Sequence, residues 1–143
     1  MSEKAKIWGP HYWFVIHSIA IHYPTYPNKV TKKKYYNFIQ DLPLFLPDET
    51  IGNQFASLLD KYPVSPYLDS RESFIRWTNF IHNKVNSQLG KKEKKLGDFL
   101  NEYYDMFKPR ELKLRETWKK QEKYVYVGTV LLVCLGIFYL YKK

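Results

Sequence analysis

Cysteine is almost missing: the 143-residue chain holds one, Cys134. A disulfide framework, an internal CxxC redox pair and a cysteine-based zinc site all need more than one thiol, so each is excluded within one chain. Histidine is scarce too, at four residues. No HExxH, P-loop, GxGxxG or Ser-His-Asp order occurs, and no metal site is expected. Acidic residues are few: 14 Asp plus Glu stand against 23 Lys plus Arg, a formal net charge of +9. What is abundant excludes disorder for most of the chain. With 45% hydrophobic and 18% aromatic residues, there is enough apolar surface to offset chain entropy. The length fits one small domain and little else.

The charge is unevenly placed. Residues 1–107 carry a net +3, residues 108–123 a net +4, and Lys142 with Lys143 another +2. Six of the nine net charges therefore flank Tyr124 to Tyr141, an 18-residue uncharged run without proline. As a helix this run spans about 27 Å, close to a thin bilayer core. Tyr124, Tyr126, Tyr139 and Tyr141 gather at its two ends, as in the aromatic belts of spanning helices. The sequence predicts a basic stalk over 108–123, a transmembrane helix over 124–141 and a basic tail at 142–143. Seven basic residues precede the span and two follow it, which predicts a tail-anchored protein with its N-terminal domain on the cytosolic side. The charge then serves topology and lipid contact. A nucleic-acid partner is not expected, because the domain itself is only weakly basic and holds no reading motif.

Residues 1–107 show helical periodicity and few strand signals. Trp8-Gly9-Pro10 is expected to open a first helix, with the proline in its first turn, running through Trp13, Ile16, Ala20 and Tyr23 to Pro24. A second helix is predicted from Val30 to Leu46 with Tyr35, Phe38, Ile39, Leu42 and Phe45 on one face, and Pro43 kinking its end. A third covers Asp48 to Lys61 through Phe55, Leu58 and Leu59. Ser70 is the expected N-cap of a fourth, which uses Phe74, Trp77, Ile81 and Val85 and stops at Gly90. A short fifth helix covers Lys95 to Phe107. The predicted fold is all-α: a small bundle with a four-helix core and a short fifth helix, followed by the transmembrane helix.

Three stretches in register resemble one known family. Trp8-Gly9-Pro10-His11-Tyr12-Trp13, then His17, Ala20 and Tyr23-Pro24, resemble the opening helix of the Erv/ALR family of FAD-linked sulfhydryl oxidases. Leu68-Asp69-Ser70-Arg71-Glu72 with Phe74 and Trp77 is similar to the start of that family's fourth helix in its large-DNA-virus forms. His82-Asn83-Lys84-Val85-Asn86 with Leu89-Gly90-Lys91 is similar to its flavin signature. The resemblance covers residue 7 to about 105. It implies a helical bundle, usually a homodimer, that grips FAD through Gly9, Trp13, His17, His82, Asn83, Asn86 and Lys91.

The sequence departs from the family where the chemistry lies. The catalytic CxxC should follow Leu46-Pro47, yet Asp48 and Ile51 occupy its two cysteine positions and Gln54 stands where His is usual. Flavin-linked thiol oxidation needs a thiolate beside the ring and a second thiol to close the disulfide. A carboxylate and an aliphatic side chain supply neither, so no catalytic residue is expected. The site then holds no cofactor as the leading expectation, with retained FAD as the other. The expected function is non-enzymatic: an inactivated oxidase scaffold, anchored in the inner membrane of a large DNA virus, that links this membrane to capsid proteins as a minor virion component. The alternatives are a noncatalytic partner of an active oxidase and, least favoured, a basic nucleic-acid-binding protein.

Overall fold

The computed structural model describes residues 3–142. Met1, Ser2 and Lys143 lie outside the described residues, the last being half of the expected basic tail. Six α-helices and no strand occur among the described residues: α1 Glu3–Ile21, α2 Lys29–Asp41, α3 Glu49–Lys61, α4 Arg71–Gln88, α5 Leu96–Phe107 and α6 Arg110–Lys142. Short 3-10 turns at Leu42–Phe45 and Ser65–Tyr67 follow α2 and precede α4. The chain divides into two units between Tyr103 and Tyr104.

Local chemistry fixes most helix ends. The side chain of Asn28 accepts a hydrogen bond from the Thr31 amide, Asp48 from the Ile51 amide and Ser70 from the Ser73 amide, each satisfying a donor that the first turn leaves free. Gly90 ends α4 with φ 65°. Its N–H donates to Ser87 O at 3.1 Å and the Lys91 N–H to Asn86 O at 2.8 Å. This double closure is a Schellman cap, which needs the left-handed conformation that glycine adopts freely.

Two expectations are corrected. α1 begins at Glu3, so Pro10 lies inside the helix instead of in its first turn. Ala5, in the turns before it, is buried, and the helix accommodates a proline with one missing N–H. The second helix ends at Asp41, where the chain tightens into the 3-10 turn Leu42–Phe45. A 3-10 segment has about 3.0 residues per turn instead of 3.6. That change of phase leaves Phe45 68% exposed, while Ile39 and Leu42 stay buried.

The first unit is organised around α4. Trp77 is 1% exposed, and its Nε1–H donates to Tyr62 O at 3.1 Å, so burying the indole leaves no polar atom unpaired. Tyr23, also buried, donates its hydroxyl to Leu68 O at 2.9 Å and packs edge-on against Phe74. Ile16 and Ala20 of α1, Leu58 and Leu59 of α3 and Ile81 of α4 complete this core. Gly52 sets how closely α3 approaches the turn after α2. A methyl group there would lie 2.6 Å from the Pro43 carbonyl oxygen, so that contact requires glycine.

The second unit holds α6, which is 33 residues long, about 50 Å at 1.5 Å per residue. The basic stretch and the apolar run form one continuous helix. It is long and apolar enough to cross a membrane, and its apolar window is not buried against the protein.

Candidate functional site

α1 and α4 bring Trp13, His17 and His82 together. Trp13 and His17 are one turn apart on α1 and so share a face. His82 enters from α4 and stacks on Trp13, with ring centroids 4.0 Å apart and planes 6° apart. His17 Nε2 and His82 Nδ1 lie 2.8 Å apart in a hydrogen bond. Phe55 of α3 meets Trp13 edge-on at 6.0 Å. From α5, Phe99 and Tyr103 cover His17 at centroid distances of 4.3 and 5.0 Å.

Burial decides the charge state of this cluster. It lowers the His17 pKa to about 2, with His82 and then Lys94 adding to the effect. It lowers His82 to about 4, helped by Lys94 and Lys91 and opposed by Glu102. Both rings are therefore neutral near pH 7, and one must donate to the other. His17 Nδ1 is buried with no hydrogen-bond partner. An orphaned buried N–H is rarer than an under-used acceptor, which places the His17 proton on Nε2 and leaves Nδ1 as a bare acceptor. Tyr103 is pushed up to about 12 by burial and by Glu102, and stays protonated.

The other residues expected at the site have more varied positions. Asn86 is buried on α4, and its carbonyl caps the helix through Lys91. Asn83 clasps the following loop: its Nδ2 donates to Lys94 O at 2.8 Å and its Oδ1 accepts from the Lys94 N–H at 2.9 Å. That clasp brings the run Lys91 to Lys95 beside His82. The Lys91 side chain is exposed, and Lys94 pairs with Glu102. Gly9 is half-buried one turn before Trp13, and a Cβ there would meet nothing within 4 Å. Phe99 and Tyr103 carry no sequence signal that distinguishes them from ordinary helix residues, and the signature that singles out Asn83 does not show that it clasps the loop.

At the position of the missing thiols, Asp48 Oδ1 accepts the Ile51 N–H at 3.1 Å as the N-cap of α3. Ile51 is half-buried and Gln54 exposed. Cys134 is exposed on α6, in the other unit. The donor set around His17 fits a flavin dinucleotide in its chemistry. It offers a planar Trp13–His82 stack, an unused acceptor at His17 Nδ1 and the loop lysines for a pyrophosphate. Trp13 and His82 are in mutual van der Waals contact, so a ring system would lie against the stack and not between its members.

Known proteins resemble this chain in sequence and in fold. The Erv1 / Alr family model matches residues 10–105. A probable FAD-linked sulfhydryl oxidase of Acanthamoeba polyphaga mimivirus is 38% identical over 86 residues, which is 59% of this chain and 60% of that protein. An FAD-linked sulfhydryl oxidase of African swine fever virus is 34% identical over 102 residues, covering 67% of this chain and 79% of the relative. The crystal structure of the yeast Erv1 core superposes with a TM-score of 0.66 at 25% identity, over 73% of this chain and 87% of that one. The chain thus spans 60% of the length of the mimivirus relative, and 46% of that of the Schizosaccharomyces pombe mitochondrial FAD-linked sulfhydryl oxidase, to which it is 31% identical.

The neutral histidine pair makes stability depend on pH. Both folded-state pKa values lie below the ordinary 6.5, so the unfolded chain binds protons that the folded chain refuses. The stabilisation is complete above pH 6.5 and is lost as pH falls, through the window from 6.5 to about 4 for His82 and on to about 2 for His17. Each histidine contributes a slope of about 1.4 kcal/mol per pH unit there. Urea denaturation below pH 6.5 is expected to show the summed slope of the two histidines, and His82→Gln should roughly halve it by removing one of two equal contributions. An unchanged slope in the variant contradicts the assignment.

Proposed function

The chain belongs to the Erv1/Alr family, and from that premise we propose that it is a non-enzymatic member whose bundle serves as an interaction module held at a membrane by α6. The observation that carries this reading is the pair Asp48 and Ile51. One caps α3 and the other is aliphatic, while the single cysteine of the chain lies in α6. Trp13, His17, His82, Asn86 and Lys91 would hold FAD, which when bound supplies a two-electron acceptor. This chain has no dithiol with which to feed it. Trp13, His17 and His82 also pack α1 onto α4, and the role proposed here needs no cofactor.

The relatives and the charge support a particular setting. Matching oxidases occur in African swine fever virus and in mimivirus. A bundle on a spanning helix, with its basic flank on the cytosolic side, suits a minor virion protein that ties an internal membrane to the shell around it. Along α6, Lys119, Lys120 and Lys123 lie within about 8 Å of Tyr124, one Debye length at physiological salt, whereas Arg110 and Lys113 stand farther off. Anionic lipid therefore holds only the last turn of the basic stretch.

Two measurements test the reading. Oxygen consumption with dithiothreitol is expected at background for the purified full chain, even with added FAD. Asp48→Cys with Ile51→Cys should raise it well above background. Turnover by the unmodified chain would refute the non-enzymatic assignment. Quantitative mass spectrometry of purified particles should find the chain in the membrane-associated fraction in stoichiometric ratio to shell proteins. Its absence from particles would sink the virion role.

A further inference from the structure

α3 and α4 leave a cleft of about 260 Å³ between them. Lys84, on its wall, follows His82 by two residues, a rotation of about 200° round the helix. The cleft and the histidine cluster therefore lie on different faces of α4. Gln54, Ser57 and Lys61 line the cleft from α3, and Lys84 and Gln88 from α4, with Tyr62 at one end.

No carboxylate lines the cleft. The Lys61 and Lys84 ammonium groups lie 5.5 and 5.9 Å from the centroid of the Tyr62 ring. Neither has a carboxylate partner among the described residues, whereas Lys6, Lys32, Lys94 and Lys108 each have one. Lys84 also lies 5.1 Å from the Phe80 centroid, so both cations are held by rings alone, and an anion beside them would offset their like charge. The far end is different. Gln54 and Gln88 present amides that both donate and accept. A free inorganic anion uses donors only, while a peptide backbone uses both. From Gln54 to Lys61 the cleft runs about 10 Å along α3, the length of three extended residues.

We infer that this cleft binds an acidic peptide segment of a partner protein, with a carboxylate between Lys61 and Lys84 and the peptide backbone against Gln54 and Gln88. The inference rests on the reading of the bundle as an interaction module and gives that module a docking site and a ligand chemistry.

The test uses the isotope-labelled full chain in nanodiscs of uncharged lipid, titrated with an acetylated, amidated hexaglutamate peptide. Hexaglutamine and inorganic phosphate are the comparison probes. Saturable amide shifts centred on Gln54, Lys61, Tyr62, Lys84 and Gln88 are expected. Hexaglutamine should bind at least about tenfold more weakly, because it keeps the backbone and lacks the charge. Lys61→Gln with Lys84→Gln should lose about tenfold in affinity for hexaglutamate while its helical circular dichroism and its remaining shifts stay unchanged. Shifts confined to residues 91–95 or 110–123 would overturn the assignment, as would equal affinity in the double variant. Phosphate binding as tight as the peptide would also overturn it, by showing an anion site without peptide selectivity. Thiol oxidation by the same sample would refute the functional reading and leave the titration to decide the cleft on its own.

Discussion

The stacked and hydrogen-bonded contact between Trp13, His17 and His82 is the constraint on which the first unit depends. It joins α1 to α4 through a polar bond in a site almost closed to water. Such a bond is stable only if both imidazoles stay neutral, because a buried unpaired charge costs several kcal/mol. Phe55 from α3 packs edge-on against Trp13, and Phe99 with Tyr103 from α5 cover His17. Four helices thus meet at three rings, Trp13, His17 and His82, and the geometry of each limits the others. The loop lysines add to this. Asn83 holds the loop by two hydrogen bonds, which places positive charge beside the imidazoles and further disfavours their protonation.

The loss of the thiols leaves this contact intact. A carboxylate at position 48 gives the first turn of α3 an acceptor for an otherwise free amide, an interaction worth about 1 kcal/mol. Gly52, one residue after Ile51, still allows α3 to lie against the Pro43 carbonyl. The scaffold therefore stands on packing, caps and one polar pair, none of which requires electron transfer. The Erv1/Alr fold stands here without a dithiol, and the cleft between α3 and α4 lies on a different face of α4 from the histidines.

Much of this was legible in the sequence because its signals are local. The Ser70 cap, the Gly90 stop and the Phe55, Leu58, Leu59 face of α3 all follow from short-range rules, and the structure places them as read. The Asp48 restart was legible in the same way, from a carboxylate beside Pro47. What escaped depends on distant parts of the chain. Pro10 resembles a helix-opening proline, yet α1 begins a further seven residues upstream at Glu3. Phe45 shares a helical face with Ile39 only while the helix continues, and the 3-10 turn ends that phase. His17 and His82 were legible as site residues through the family signature. That they bond to each other, under a cover of Phe99 and Tyr103, depends on tertiary packing that spacing along one helix does not encode.

The most direct test of this account is the protonation state of the two rings. Nitrogen-15 spectra of the imidazoles, recorded on the full chain without added flavin from pH 7 to pH 5, should show His17 and His82 neutral throughout, with the His17 proton on Nε2. Protonation of either ring near pH 6.5, in a chain that remains folded, would contradict the account.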